Sequence, residues 1–303
     1  MKIQSEIFGP KAEPAQYPSF NMRNCTIHRS DLINLRNTYM KTYLKHLVVI
    51  LALSNCSMLA MANSTNTDSL KVMTYNIHHA NPPAQEGVID LQAIADVIKS
   101  QSPDLVALQE LDVLTPRSGN VDQVKKLAEL TGMYSFFSKG IDYDGGEYGV
   151  AILSKFKINK SERFPLPFKE GLKAEQRSLA IVNVTLPNGS KLDFACTHLD
   201  LNNEHRLLQV AEINKILGNR KTEAILAGDL NLTATTPAMA ILEKHFTRSC
   251  EQNCAPTIPD VNPDKEIDFI LLKKGSKLKV ASHQVINDIH ASDHLPLVVT
   301  YSK

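Results

Sequence analysis

Between residues 70 and 301 short β-rich apolar runs alternate with amphipathic helical stripes, and tight hairpins are mixed with helical crossovers. The spacing predicts strands over 70–76, 105–108, 149–153, 158–164, 179–186, 191–197, 224–227, 267–272, 278–285 and 297–301. Apolar residues at 91, 94, 97 and 98 predict a helix over 91–100, ended by Pro103. A second stripe at 121, 124, 127 and 130 predicts a helix closed by Gly132, and a third over 207–217 stops at Gly218. Pro187-Asn188-Gly189 between two strand patterns is a hairpin signal. Mixed connections of this kind exclude a doubly wound parallel sheet. They predict an α+β fold, with two sheets packed face to face and helices outside. No linker or repeat interrupts the pattern, so residues 68–303 are expected to form one domain.

Residues 1–62 stand apart. Lys41 and Lys45 precede a wholly apolar run over 47–53, and Ala60-Met61-Ala62 follows. A basic n-region, an apolar h-region and an A-x-A site predict a signal peptide over 40–62. The protein is then exported, periplasmic or extracellular after cleavage near Ala62. A retained membrane anchor is the competing reading, but Asn55 and Ser57 leave the run short for a span. Lipid anchoring at Cys56 would require Leu53-Ser54-Asn55-Cys56 to act as a lipobox, which Asn55 fits poorly. Residues 1–39 are polar and aperiodic, and read as a non-structural extension or as sequence upstream of a start at Met40. The whole chain has a net charge of +1, but residues 1–62 carry 7 basic and 3 acidic residues, which leaves −3 on the rest. That balance argues against a dedicated nucleic-acid binder. Of the remaining cysteines, Cys250 and Cys254 share a polar loop and are placed to pair on export. Cys196, in an apolar strand, is expected to be a buried thiol.

Polar residues appear abruptly at the ends of the apolar runs. Asn76 ends the first, Gln109-Glu110 the second, Thr197-His198-Leu199-Asp200 a third and Gly228-Asp229-Leu230-Asn231 a fourth. Asp268 lies within Ile267-Asp268-Phe269-Ile270, and Ser292-Asp293-His294 precedes the last strand. Six strand ends thus deliver acids, amides and imidazoles to what one rim could collect. Glu110 with Asn76 suits a hard cation that keeps several waters, so Mg²⁺ is expected, with Mn²⁺ as a substitute, rather than Zn²⁺. Two histidines with acids at hand suit proton transfer or phosphate stabilisation. Asp229 and Asn231, two apart on an extended segment, would present both side chains on one side. Neither a nucleophilic serine elbow nor a Gly-rich phosphate loop is present, which favours direct attack by water.

The set Thr74-Tyr75-Asn76, Gln109-Glu110, Thr197-His198-Leu199, Gly228-Asp229-Leu230-Asn231, Ile267-Asp268-Phe269 and Ser292-Asp293-His294 resembles the endonuclease/exonuclease/phosphatase superfamily, in that family's order. The resemblance implies a four-layer α/β/β/α sandwich with two packed mixed sheets, and Mg²⁺-assisted phosphoester hydrolysis. It implies that Glu110 holds the metal, that Asn76 helps at metal or phosphate, that Asp229 activates or orients water, and that Asn231 fixes phosphate and water. His294, oriented by Asp293, would stabilise the pentacovalent phosphate. His198, paired with Asp268, would stabilise phosphate or protonate the leaving oxygen. Arg177 resembles the family's phosphate-contacting arginine, and Tyr148 stands at a polar position of that site.

The expected activity is that of an exported phosphodiesterase. A lipid headgroup or small organic phosphodiester ranks ahead of nucleic acid, because no basic-aromatic stripe is present. A secreted nuclease and a sugar or inositol phosphomonoesterase are the alternatives. A non-catalytic binding module of the same fold would have lost a metal- or water-handling residue, and each is present. No obligate protein partner is evident. Leu111-Asp112 follows Glu110 where abasic-site enzymes carry a basic residue. Asp112, Arg117, Asp200 and Asn202 border the motifs without assigned roles. The segment 164–168, Phe-Pro-Leu-Pro-Phe, is the nearest apolar candidate for touching lipid, and His205 reads as a residue of a helix start.

Overall fold

A computed structural model of the chain describes residues 69–287 and 290–302. The extension over 1–39, the signal peptide over 40–62 and Cys56 lie outside the described residues. Within them the chain runs β1 Ser69–Asn76, α1 Leu91–Gln101, β2 Leu105–Val113, α2 Gln123–Thr131, β3 Tyr134–Tyr143, β4 Gly146–Ser154, β5 Ile158–Pro165, β6 Ser178–Thr185 and β7 Lys191–His198. It continues through α3 Asn203–Ile213, β8 Glu223–Asp229, α4 Pro237–Leu242, β9 Phe246–Arg248, β10 Asp268–Lys273, β11 Lys279–Val285 and β12 Leu297–Ser302.

Side-chain caps set the helix starts. Asp90, Asp122, Asn202 and Thr236 each accept a hydrogen bond from a backbone N–H of the first turn. Asn202 therefore begins α3 four residues before the expected start, and the end of the predicted stripe winds into a π-turn over Asn214–Gly218. Three elements carry no readable period and were not expected: β3, largely exposed at a sheet edge, the three-residue β9, and α4.

The strands form two six-stranded sheets, ordered β11-β12-β1-β2-β4-β3 and β5-β6-β7-β8-β10-β9. The pairs β1–β2 and β7–β8 run parallel, joined through α1 and α3, while the other neighbours are antiparallel. Both sheets are mixed, as expected. Their inner faces share one core, to which Val72, Leu105, Ala107 and Ile152 come from the first sheet and Val182, Phe194, Cys196 and Ile270 from the second. The outer face of the first sheet packs Met73, Tyr75 and Val106 on Ile94, Ile98 and Leu127. The outer face of the second packs Ala195, Leu226 and Leu271 on Val210, Ile213 and Met239. The layers are therefore α/β/β/α.

The two-residue period of a strand then places the chemistry. Val72 faces the shared core, so Thr74 and Asn76 face the same way at the end of β1. Cys196 puts His198 on that face, Ala227 puts Asp229 there, and Ile270 puts Asp268 there. His198 pairs with Asp229 across β7–β8, and Asp229 with Asp268 across β8–β10, so the three lie abreast. The inter-sheet core is apolar through its middle and polar at one end.

Cys250 and Cys254 form a disulfide, and Cys196 is a buried free thiol. Among the described residues no helix is long and apolar enough to cross a membrane.

Candidate active site

Glu110 reaches the cluster through a defect in β2. The β2–β4 register shifts between Leu108 and Leu111, so two residues oppose one, and Glu110 adopts a left-handed φ of 60°. A bulge of this kind re-aims a side chain that strict alternation would turn outward. Gln109 keeps the inner face, bonded to Thr74 and to the Cys196 sulfur. Glu110 turns toward Asn76, whose Nδ2 donates to Glu110 Oε1 at 2.9 Å and to Asp229 Oδ2 at 3.1 Å. The Asn76 carbonyl Oδ1 accepts from the His78 backbone N–H at 3.1 Å. Asn76 therefore presents its donor side to the two carboxylates and spaces them. Its oxygen accepts from the turn after β1, so in this arrangement the side expected to help at metal or phosphate is turned toward the backbone.

Asp229 sits at the centre. It is buried, and its Oδ2 lies 3.4 Å from His198 Nε2 and 3.7 Å from His294 Nε2. Oδ1 accepts from the Asn231 backbone N–H at 2.9 Å. This is a side-chain turn with Asn231 at φ 49°, not the extended segment expected, and asparagine tolerates that conformation better than most residues. Gly228 lets the strand approach its neighbour, since a Cβ there would lie 2.0 Å from the Thr197 carbonyl oxygen. Burial first, and then the Asp268 charge, push the Asp229 carboxyl up to about 7, against the opposing effects of His294, the Asn231 N–H and the Asn76 amide.

Asp268 pairs with His294, not with His198 as expected. His294 Nδ1 is 2.8 Å from Asp268 Oδ2, and the buried Thr257 hydroxyl donates to the same oxygen at 2.6 Å. The register explains the correction: Asp268 is set one strand further from His198 than Asp229 is. The loop carrying His294 is fixed by Ser292 Oγ donating to the Asn76 carbonyl at 2.7 Å and by Leu295 N–H donating to the Thr257 carbonyl at 2.7 Å. Asp293, expected to orient His294, is half-buried, with its Oδ1 3.3 Å from Ser292 Oγ, whose hydrogen the shorter bond to Asn76 takes. Burial would lower the His294 pKa. The Asp268 carboxylate, by charge and hydrogen bond, together with Asp229 and Asp293, overrules it and raises the value to about 10.

His198 takes the opposite state. Burial, then Arg177 and His294, hold its pKa well below the ordinary value, so the ring is neutral. Its Nε2 lies 2.9 Å from Asn231 Nδ2, which also donates to the Leu199 carbonyl at 3.0 Å. Its Nδ1 is buried without a partner. Of the two expected roles, holding phosphate by a hydrogen bond suits a neutral imidazole better than protonating the leaving oxygen. Arg177 is buried at the mouth of β6, paired with Glu175 at 3.2 Å through one terminal nitrogen, with Nε unpartnered. Tyr148 and Arg177 line a narrow cleft with Ser178 and His198. Burial and the nearby Glu110 raise the Tyr148 pKa. The structure thus brings all ten expected residues to one end of the sandwich, with Asp293 at its margin.

Thr257 carried no sequence signal, because it lies in an irregular loop. Asp112 and Arg117 had only their position after Glu110. Buried Asp112 accepts from Thr115, Ser118 and, through both oxygens, Arg117, and so folds the turn beyond β2. The Arg117 guanidinium lies 4.3 Å from the Tyr143 ring centre and 5.5 Å from that of Tyr148. His205 lies in the first turn of α3, as expected, and is fully buried.

Asp229, Asp268 and His294 bring ligand atoms within 4.8 Å of one another and could hold a metal ion. The family profile for endonuclease/exonuclease/phosphatase proteins matches residues 73–294. The chain belongs to this family. Its members are metal-dependent phosphoester hydrolases, and the buried acid–histidine cluster is of that kind. The family's solved structures include an endonuclease/exonuclease/phosphatase protein from Beutenbergia cavernae. It is 26% identical with a TM-score of 0.67, over 78% of this chain and 72% of that one. The fold is shared at lower identity by the mannosyl-6-phosphatase of Bacteroides thetaiotaomicron, at 19% and TM-score 0.65 over 77% of this chain and 100% of that one. The human Nocturnin catalytic domain with bound sulfate is 21% identical with TM-score 0.61, over 78% and 93%.

Proposed function

We propose that this endonuclease/exonuclease/phosphatase protein is a Mg²⁺-dependent phosphodiesterase that uses water directly as nucleophile. The observation that carries this reading is the Asn76 bridge, which holds Glu110 and Asp229 side by side at the polar end of the sandwich. Glu110 fits a hard cation. It is half-exposed, one oxygen is held by Asn76, and no protein cation among the described residues lies within ion-pair distance of it. His294 and Thr257 share Asp268 Oδ2 while its Oδ1 is buried without a partner, so the trio, which we read as a proton and charge relay, keeps one carboxylate oxygen that a cation could also use. Bound at Glu110, the metal would polarise a phosphoryl oxygen and offset charge developing there.

The protein's own groups supply the rest. With a pKa near 7, Asp229 suits removal of the proton from the attacking water. The imidazolium of His294, kept charged by Asp268, and Arg177 stabilise the pentacovalent phosphate. Asn231, its NH₂ shared between His198 Nε2 and the Leu199 carbonyl, holds the neutral His198 ring in place beside the phosphate position. Water oxygen bonds to phosphorus, the bond from phosphorus to the alcohol breaks, and the alkoxide is protonated from solvent.

Charge favours a diester. With Mg²⁺ bound, the metal, Arg177 and His294 exceed Glu110, Asp229 and Asp268 by one positive unit, and Glu175 draws on Arg177 as well. A monoanionic diester matches that balance better than a dianionic monoester. Small organic diesters and lipid headgroups rank ahead of nucleic acid, and export by the signal over 40–62 belongs to the same reading. The test is hydrolysis of bis-p-nitrophenyl phosphate and p-nitrophenyl phosphate by the full chain with Mg²⁺ or EDTA, beside Asp229→Asn. Metal-dependent diester turnover lost in the variant is expected. Turnover of the monoester alone would move the assignment to a sugar or inositol phosphatase.

A further inference from the structure

Three successive residues after β1, His78, His79 and Ala80, take left-handed φ angles of 45°, 42° and 61°, although none is glycine. That region is unfavourable for any residue with a Cβ, and it persists only where surrounding bonds over-determine it. Within the turn, Ala80 N–H donates to the Ile77 carbonyl at 2.7 Å and Asn81 N–H to the His78 carbonyl at 2.8 Å. The His79 carbonyl is held from outside, by Gln123 Nε2 donating to it at 2.7 Å. The other end of the same amide, Oε1, accepts from the Asp112 backbone N–H at 2.9 Å. Gln123 is fully buried, so its amide is committed at both ends to these two backbone groups. Both lie on segments that carry the site. The turn supplies the His78 N–H that sets the orientation of the Asn76 amide. Asp112 follows Glu110 by two residues, just past the bulge. Before the bulge, Ile77 N–H donates to the Gln109 carbonyl at 3.1 Å. The parallel β1–β2 ladder ends at Asn76 and Gln109, and past that point Gln123 carries the connection. It does so from a fixed place, as the first residue of α2, whose cap Asp122 also bridges to Val113.

We propose that Gln123 is a positioning residue for the metal site, clamping the left-handed turn after β1 to the segment beyond the Glu110 bulge and so fixing Asn76 and Glu110 relative to one another before an ion binds. The inference rests on the reading of Glu110 as the Mg²⁺ ligand and deepens it. The clamp needs a donor for the His79 carbonyl and an acceptor for the Asp112 N–H at the two tips of one side chain. An uncharged primary amide offers both. An apolar side chain of the same length would leave both backbone groups without that partner. The turn would then relax from its left-handed angles, and His78 N–H would no longer hold Asn76 Oδ1. The Asn76 NH₂, which spaces Glu110 from Asp229, would lose its set orientation. Gln123 bonds neither carboxylate itself, so its effect passes through the two loops. Groups of this kind, one bond removed from the ligand, set how far a site is preorganised.

The test compares the full chain with Gln123→Met, which keeps the length and removes the amide, and Gln123→Asn, which keeps the amide but is one methylene short of spanning both partners. Leu127→Ala, buried on the same helix, is the control that loosens the packing of α2 and leaves the clamp in place. Three quantities are read: Mg²⁺ affinity by calorimetry without substrate, kcat and KM for bis-p-nitrophenyl phosphate at saturating Mg²⁺, and the Asn76 side-chain NH₂ signals by NMR of metal-free protein. Both Gln123 variants should bind Mg²⁺ about tenfold or more weakly, with kcat and KM at saturating Mg²⁺ within about threefold of wild type. Their Asn76 NH₂ signals should shift and exchange faster with solvent. Leu127→Ala should move neither the affinity nor those signals. Should Gln123→Met fail to fold, Gln123→Asn carries the same test. Wild-type Mg²⁺ affinity and unchanged Asn76 signals in a folded Gln123 variant would overturn the clamp and leave the hydrolase standing. An equal loss of Mg²⁺ affinity in Leu127→Ala would overturn it as well, by tracing the effect to the stability of α2. A wild type that binds no Mg²⁺ would defeat the metal-dependent reading and this inference with it.

Discussion

Replacing Asp268 by Asn removes the charge that decides the state of His294. The carboxylate lies 2.8 Å from His294 Nδ1 and holds the imidazolium against the effect of burial. Without it, burial is opposed only by Asp229 and Asp293, and the ring should titrate near or below its ordinary value. At pH 8 the variant then presents a neutral imidazole to the transition state, and Asp229, relieved of a like charge, becomes a weaker base. Loss of a preorganised charged donor should lower kcat about 10²- to 10³-fold, roughly 3–4 kcal/mol. The assay is a pH–rate profile on bis-p-nitrophenyl phosphate with imidazole NMR of metal-free protein. Stability gives a second reading. The folded value of about 10 exceeds the unfolded value near 6.5. Its contribution is therefore complete below about pH 6.5 and lost as pH rises toward about 10, on the order of 5 kcal/mol in all. The wild type should lose melting temperature across that window and Asp268→Asn much less. A variant within threefold of wild-type kcat at pH 8, with His294 still protonated, would refute the reasoning.

Thr257→Val removes the hydroxyl that donates to Asp268 and should destabilise by about 1.5–3 kcal/mol in urea unfolding, as for hydrogen bonds to charged groups. Thr257→Ser, which keeps the donor, should restore most of it. Burial works against the Asp112 carboxylate, but Arg117, Ser118 and Thr115 outweigh it and hold its pKa below the ordinary value. Its stabilisation is present above the ordinary carboxylate range and lost as pH falls through the folded pKa, so Asp112→Asn should flatten the acid limb of melting temperature against pH. Cys250→Ser opens the five-residue loop closed by the disulfide and should cost roughly 2 kcal/mol of unfolding free energy by loop-closure entropy.

The layers and most strands were legible because two-residue alternation in the central strands is strong: Val72, Cys196, Ala227 and Ile270 all face the shared core. β3 was not, because a largely exposed edge strand needs no alternation, and β9 is too short to show one. Motif order located the site residues, but pairings depend on strand register. Asp268 went to His294 because β10 lies beyond β8, which linear spacing does not encode. The bulge that turns Glu110 inward and the amide orientation of Asn76 belong to local backbone geometry. Thr257 reaches the site from an irregular loop, where side-chain type predicts no partner.

The most direct test of the central claim is the Mg²⁺ dependence of diester hydrolysis in wild type and Glu110→Gln. The wild type should be silent in EDTA and saturate with Mg²⁺. Glu110→Gln should need at least about tenfold more Mg²⁺, the loss of roughly 1.4 kcal/mol or more of metal affinity. Identical Mg²⁺ curves for the two proteins, or activity that survives EDTA, would contradict the account.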